Sequence, residues 1–113
     1  MLPKKQRIRQ SKEFESVFKN SYSNYNTILG FKSSKNTLNA TRFGFIVGTK
    51  VSKLSVKRNL LKRRLRALAK DSLQMIKPGF DIVIIALPKA ADNDFSQIKD
   101  SFTLGLQKLR LFK

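Results

Sequence analysis

The chain has 113 residues, of which 41% are hydrophobic, and its 24 Lys and Arg against 7 Asp and Glu give a formal net charge of +17. This fits one domain over residues 1–113 with a modest core. With neither Cys nor His, disulfides, thiolate or imidazole metal sites and a His general base are excluded.

Residues 1–10 are basic and weakly hydrophobic, a lead-in expected to be flexible. Ser11 is a candidate N-cap for a short helix to about Asn20, with Glu13 and Glu15 near its positive end and Phe14, Val17 and Phe18 on one face. Tyr22 to Phe31 and Arg42 to Thr49 are rich in aromatic and β-branched residues, and the polar stretch Lys32 to Asn39 separates them. This predicts two or three antiparallel strands. Ser52 or Ser55 can cap the next helix, which must stop before Pro78-Gly79. In it Leu54, Leu61, Leu65, Leu68, Ser72 and Ile76 fall within about 40° of a common direction at about 100° per residue. The opposite arc carries Asn59, Lys62, Arg63, Arg66 and Lys70, a cationic ridge.

Asp81 to Leu87 shows no alternation and is bounded by prolines, as expected of an interior strand covered on both faces at the centre of a sheet. Asp94 and Gln97 form a capping-box pattern, after which Phe95, Ile98, Phe102, Leu106 and Leu109 recur at helical spacing. The resulting order is α-β-β-(β)-α-β-α, an α+β fold with helices packed on a small mixed sheet. No apolar run approaches the roughly 20 residues of a membrane span, and Met1 to Lys5 leads into no apolar signal segment, so a cytoplasmic protein with no membrane partner is expected.

The charge is concentrated. Residues 1–70 hold 18 cations and 2 carboxylates, and no carboxylate is interspersed among the 13 cations between Glu15 and Asp71. A polyanion is the economical partner. The densest segment is Lys50 to Arg66, where 8 of 17 residues are cationic and the leucines fix which of them face outward. Arg binds phosphate oxygens bidentately, Lys supplies a point charge, and Asn59 can reach a base edge or a ribose hydroxyl. A merely solvated face would interleave acids at i+4, and a membrane-surface helix would carry Trp or Phe on its apolar side. Neither pattern is present. Phe14, Phe18, Tyr22 and Tyr25, preceded by Lys4, Lys5, Arg7 and Arg9, could stack unpaired bases; core packing is the competing explanation for the two Phe at i and i+4. The carboxylates are scattered, Asp92 and Asp94 suit a turn and a cap, and no Walker-type glycine loop follows Gly44 or Gly48. The chain is not expected to hold the reactive groups of an enzyme by itself. A ribosomal-protein-like or RNA-chaperone binding module is one reading that fits these features.

These residues resemble a known family, the bacterial ribonuclease P protein component. The resemblance runs from Glu13-Phe14-Glu15-Ser16-Val17-Phe18, through Phe43-Gly44-Phe45-Ile46-Val47 and Lys50-Val51-Ser52-Lys53, to Val56-Lys57-Arg58-Asn59 with Lys62-Arg63-Arg64-Leu65-Arg66, and then Asp81 to Ala86. Leu60 stands where the signature usually has a second Arg. The resemblance implies a fold like the second domain of ribosomal protein S5, with a left-handed βαβ crossover. It implies a protein subunit that binds the catalytic RNA and the single-stranded 5′ leader of precursor tRNA, with Mg2+ and the catalytic groups in the RNA. Carried over, Lys50, Lys53, Lys57, Arg58, Asn59, Lys62, Arg63 and Arg66 would contact the RNA subunit, and Phe14 and Phe18 would line the leader cleft. The free chain is expected to be a monomer.

Overall fold

The computed structural model describes residues 4–19, 21–38 and 40–113. The first helix, α1, spans Ser11–Lys19. Its N-cap is Gln10 and not Ser11: the Gln10 carbonyl accepts from the Glu13 and Phe14 amides, and Glu13 Oε1 reaches back to accept from the backbone N–H of Arg9 and Gln10. Glu13 therefore sits at the positive helix end as expected and also satisfies donors that the first turn leaves free. The proposed end at Asn20 lies outside the described residues, as do Met1 to Pro3 of the basic lead-in and Asn39 of the polar stretch.

Strands β1 (Tyr22–Tyr25) and β2 (Leu29–Lys35) form an antiparallel hairpin. Its turn is set by Asn26, whose Oδ1 accepts from the amides of Ile28 and Leu29. β2 runs on through Lys35, so half of the polar stretch expected to be a turn is strand. The polar side chains are tolerated because β2 presents Leu29 and Phe31 to the core and Lys32 and Ser34 to the opposite face, which the short α1 covers only in part.

Strand β3 (Arg42–Ile46) is followed by helix α2 (Ser55–Ser72), strand β4 (Phe80–Ala86) and helix α3 (Phe95–Lys108). The sheet order is β1-β2-β4-β3, with β4 antiparallel to β2 and parallel to β3. β1 and β2 are the expected antiparallel pair, and β3 pairs with neither of them but lies beside β4 in the expected mixed sheet. The long α2 crossover lets β4 return parallel to it, and β4, apolar on both faces, inserts between β2 and β3. Ile82, Ile84 and Ala86 join Leu29, Phe31 and Phe43 beneath Leu61, Leu65 and Leu68 of α2 and Ile98, Phe102 and Leu106 of α3. On the other face Val83 packs with Val17 of α1 and with Ile8. The lead-in is tied down at least there: Arg7 bridges Phe43 in parallel, the Ile8 amide donates to the Phe43 carbonyl at 2.7 Å, and this covers the exposed edge of β3.

The apolar stripe of α2 is shorter than its sequence pattern. Leu54 precedes the helix and is exposed, and Ser55 is the first helical residue, so neither serine caps by its side chain. Ile76 is buried beyond the helix end, where it bridges Phe112. In α3 the capping box of Asp94 and Gln97 forms as expected, but Phe95 remains exposed. Gly105 lets α3 sit directly on the Phe31 ring, since a Cβ there would lie 2.1 Å from a ring carbon. In an open helix Gly→Ala stabilises by about 1 kcal/mol. Here Gly105→Ala is expected to lower stability by about 1–3 kcal/mol because the ring must shift, read as a lower midpoint in urea unfolding.

Candidate nucleic-acid interface

Helix α2 carries its cations on the side away from the core. Lys57, Asn59 and Arg63 are exposed, Lys62 and Arg66 are half-buried, and Lys50 and Lys53 are exposed on the preceding loop. Arg58 behaves differently. One of its terminal nitrogens donates to the carbonyls of Ser52 at 2.9 Å and Lys53 at 3.0 Å, so its guanidinium holds the loop against the first turn. Ser52 Oγ accepts from the Leu54 amide. The first turn of α2 has neither an acidic residue nor a side-chain cap, which leaves its positive end facing the same side as the loop lysines.

The two phenylalanines of α1 meet different strands of the sheet. Phe14 is half-buried, lies over Gly44, and lines an open hollow of about 410 Å3, its mouth included, with Arg7, Arg9, Phe45 and Arg66. A Cβ at position 44 would fall 2.6 Å from the Phe14 ring, so Gly44 is what admits it. Phe18, one turn further along the same face of α1, is 40% exposed and reaches β2, where Lys32 Nζ lies 5.8 Å from the centroids of both Phe18 and Tyr25. Tyr25 in turn covers Gly30. Lys32 and its place between two rings were not anticipated, because they depend on the pairing of β1 with β2. Arg66 is the link between surfaces: it belongs to the α2 ridge and also lines the Phe14 cavity.

One cation is neutralised inside the fold. Arg42 pairs with Glu13 of α1 and donates to both oxygens of Asp81 on β4, at 2.9 and 2.7 Å, while Asn36 donates to Asp81 at 2.8 Å. Arg42 and Asp81 are direct register partners across the parallel pair. The Gln10 amide foremost, then the Arg42 guanidinium and the Arg9 amide, hold the Glu13 carboxyl below its ordinary 4.5 against the opposing effect of burial. The carboxylates, Asp81 first, push the Arg42 guanidinium further above its ordinary range. Both salt bridges among the described residues are made by Arg42, so the cations of α2 and its loop have no carboxylate partner there. Among the described residues no three carboxylates converge to hold a metal ion, and no helix is long and apolar enough to cross a membrane.

A family model described as Ribonuclease P matches residues 2–110. The chain belongs to the ribonuclease P protein family. It is 33% identical over 112 residues to the ribonuclease P protein component of Syntrophomonas wolfei, covering 99% of this chain and 93% of that one. A mutant Staphylococcus aureus RNase P protein with defective mRNA degradation activity superposes with a TM-score of 0.91 at 28% identity, over 96% of this chain and 92% of that one. The RNase P protein of Thermotoga maritima gives 0.80 at 29% identity, over 90% and 96%. The mixed sheet and three helices are thus the family's fold, and the role is that of protein subunit to the endoribonuclease of tRNA processing. In this member the signature position after Asn59 is Leu60, partly exposed on α2.

The Arg42 cluster joins α1, β3 and β4, and its removal should be costly. Arg42→Met leaves Asp81 buried without its cation and is expected to lower stability by about 3 kcal/mol in denaturant unfolding at neutral pH. Because the Glu13 carboxyl is depressed in the fold, its contribution is complete above about 4.5 and is lost as pH falls through the folded value. The stability difference between wild type and Glu13→Gln should therefore be present at pH 7 and shrink by pH 3, measured by urea unfolding at the two values.

Proposed function

We propose that the α2 ridge and the loop before it contact the catalytic RNA subunit, and that the surface where Phe14 and Phe18 of α1 meet the sheet receives the single-stranded 5′ leader of precursor tRNA. Lys50, Lys53, Lys57, Lys62, Arg63 and Arg66 meet phosphates, Asn59 reaches a base edge or ribose hydroxyl, and Arg58 acts first by fixing the loop that presents the lysines. Phe18, with Tyr25 and Lys32, offers an aromatic face beside a cation for stacking. Phe14 supports a second contact flanked by Arg7, Arg9 and Arg66. The observation that carries this reading is Arg66, which makes the ridge and the Phe14 cavity one continuous cationic surface.

Mg2+ is bound mainly by the RNA subunit, the reading that membership in the family supports. The protein contributes affinity and orientation and holds no reacting group. It acts in the cytoplasm and is monomeric before assembly.

Mixing the chain with a bacterial ribonuclease P RNA at low Mg2+ should restore 5′ processing of a precursor tRNA with a leader of several nucleotides, with neither component sufficient alone. If the RNA gains nothing, the chain is a general RNA-binding module. Engagement of about six phosphates predicts a slope near about −4 in log affinity against log salt. Arg63→Ala should flatten that slope while circular dichroism stays unchanged. Phe18→Ala should lower leader affinity with little change in thermal stability, whereas Phe14→Ala should lower both, because Phe14 also packs on Gly44.

A further inference from the structure

We propose that the hollow between α2 and α3 receives an unpaired base of the partner RNA, with Phe95 and Arg64 forming a stacking shelf beside it; this rests on the RNA-subunit reading above. Three large apolar side chains are left out of the core here: Val56 is 78% exposed, Phe95 41% and Leu60 38%. Leu60 and Arg64 separate two adjoining concavities. The deeper one measures about 530 Å3 with its open mouth and is floored by Val51, Leu61, Ala90 and Ile98. The shallower one is a shelf formed with Ala67 and Phe95. The Arg64 guanidinium carbon lies 5.9 Å from the centroid of the Phe95 ring, within the range of a cation held against an aromatic face.

The chemistry of the rim selects the occupant. Lys57, Arg64, Ser52 and Asn93 stand around the deeper hollow, and no carboxylate lines either concavity. Asn93 spends its amide nitrogen on the Lys89 carbonyl, which leaves its oxygen to accept. Ser52 Oγ accepts from the Leu54 amide, which leaves its hydroxyl hydrogen to donate. Asp94, the nearest acid in sequence to Phe95, is taken up in capping α3. An apolar floor with one acceptor and one donor at its edge suits a flat heterocycle that carries both, and the surrounding cations suit its flanking phosphates. A second copy of this chain is disfavoured, because a twofold contact would bring Lys57, Arg63 and Arg64 against themselves. Leu60 also gains a role: an Arg there would set a charge on the wall that the two concavities share.

The test is titration of the full chain with a bacterial ribonuclease P RNA at several salt concentrations, together with chemical probing of the unpaired bases in that RNA. Ala91 is exposed at the hollow's margin, so Ala91→Leu fills it without entering the core, and Phe95→Ala removes the shelf. Each variant is expected to bind roughly tenfold more weakly with an unchanged salt slope, as lost stacking predicts. The base protected by wild type should become reactive with Ala91→Leu, and Phe95→Tyr should restore affinity. Wild-type affinity and unchanged protection in both variants would overturn the proposal while leaving the RNA-subunit reading intact. A dimer of the free chain that Ala91→Leu dissolves would give the hollow to a second copy and overturn it too. Failure of the wild type to bind the RNA would overturn both readings together.

Discussion

The architecture depends on β4 having to be buried on both faces. Ile82, Ile84 and Ala86 need one apolar layer and Val83 needs another, so the strand can only lie inside the sheet with helices on each side. This requirement sends β3 to the outer side of β4 and places α2 and α3 together on one face. α1 is left alone on the other. The functional surface inherits this asymmetry: two helices cover their face fully, while the nine residues of α1 leave strand side chains such as Lys32 open beside it.

A chain of charge +17 must fold against its own repulsion. The described salt bridges go to one internal cation, Arg42, and not to the surface ridge. Arg42 links the helix, the edge strand and the central strand through two carboxylates, and so it holds together the elements that frame the Phe14 cavity. The ridge cations are left free for an external polyanion. Internal fixation and external availability are thus divided among residues of the same type.

Membership in the ribonuclease P protein family supplies a role in which such a division is useful. The protein brings cations, aromatic faces and a rigid frame, and the RNA brings the reaction. Arg58 shows how a cation of the signature helix can serve the fold, since one of its terminal nitrogens donates to the carbonyls of Ser52 and Lys53 in the loop before the helix. Leu60, Phe95 and Arg64 add a feature of another kind, an apolar recess bordered by cations, which phosphate neutralisation alone does not call for.

Much of this was written locally in the chain. The apolar run of β4, the capping box of α3 and the leucine spacing of α2 can be read without a fold, because helix and strand periods decide which residues face the same way. The clustering of cations over residues 50–66 named the partner class for the same reason. Other features were not legible there. The join between Arg42 and Asp81, Lys32 beside two rings, Arg66 as a bridge to Phe14, and Phe95 beside Arg64 all join residues far apart in sequence or set by strand register. The sequence by itself determined the elements, their apolar faces and the excess of positive charge, since these follow from short-range periodicity and composition. Only the tertiary structure decided which cations are consumed inside, which remain free and which meet aromatic rings, because those choices depend on the order in which the strands line up.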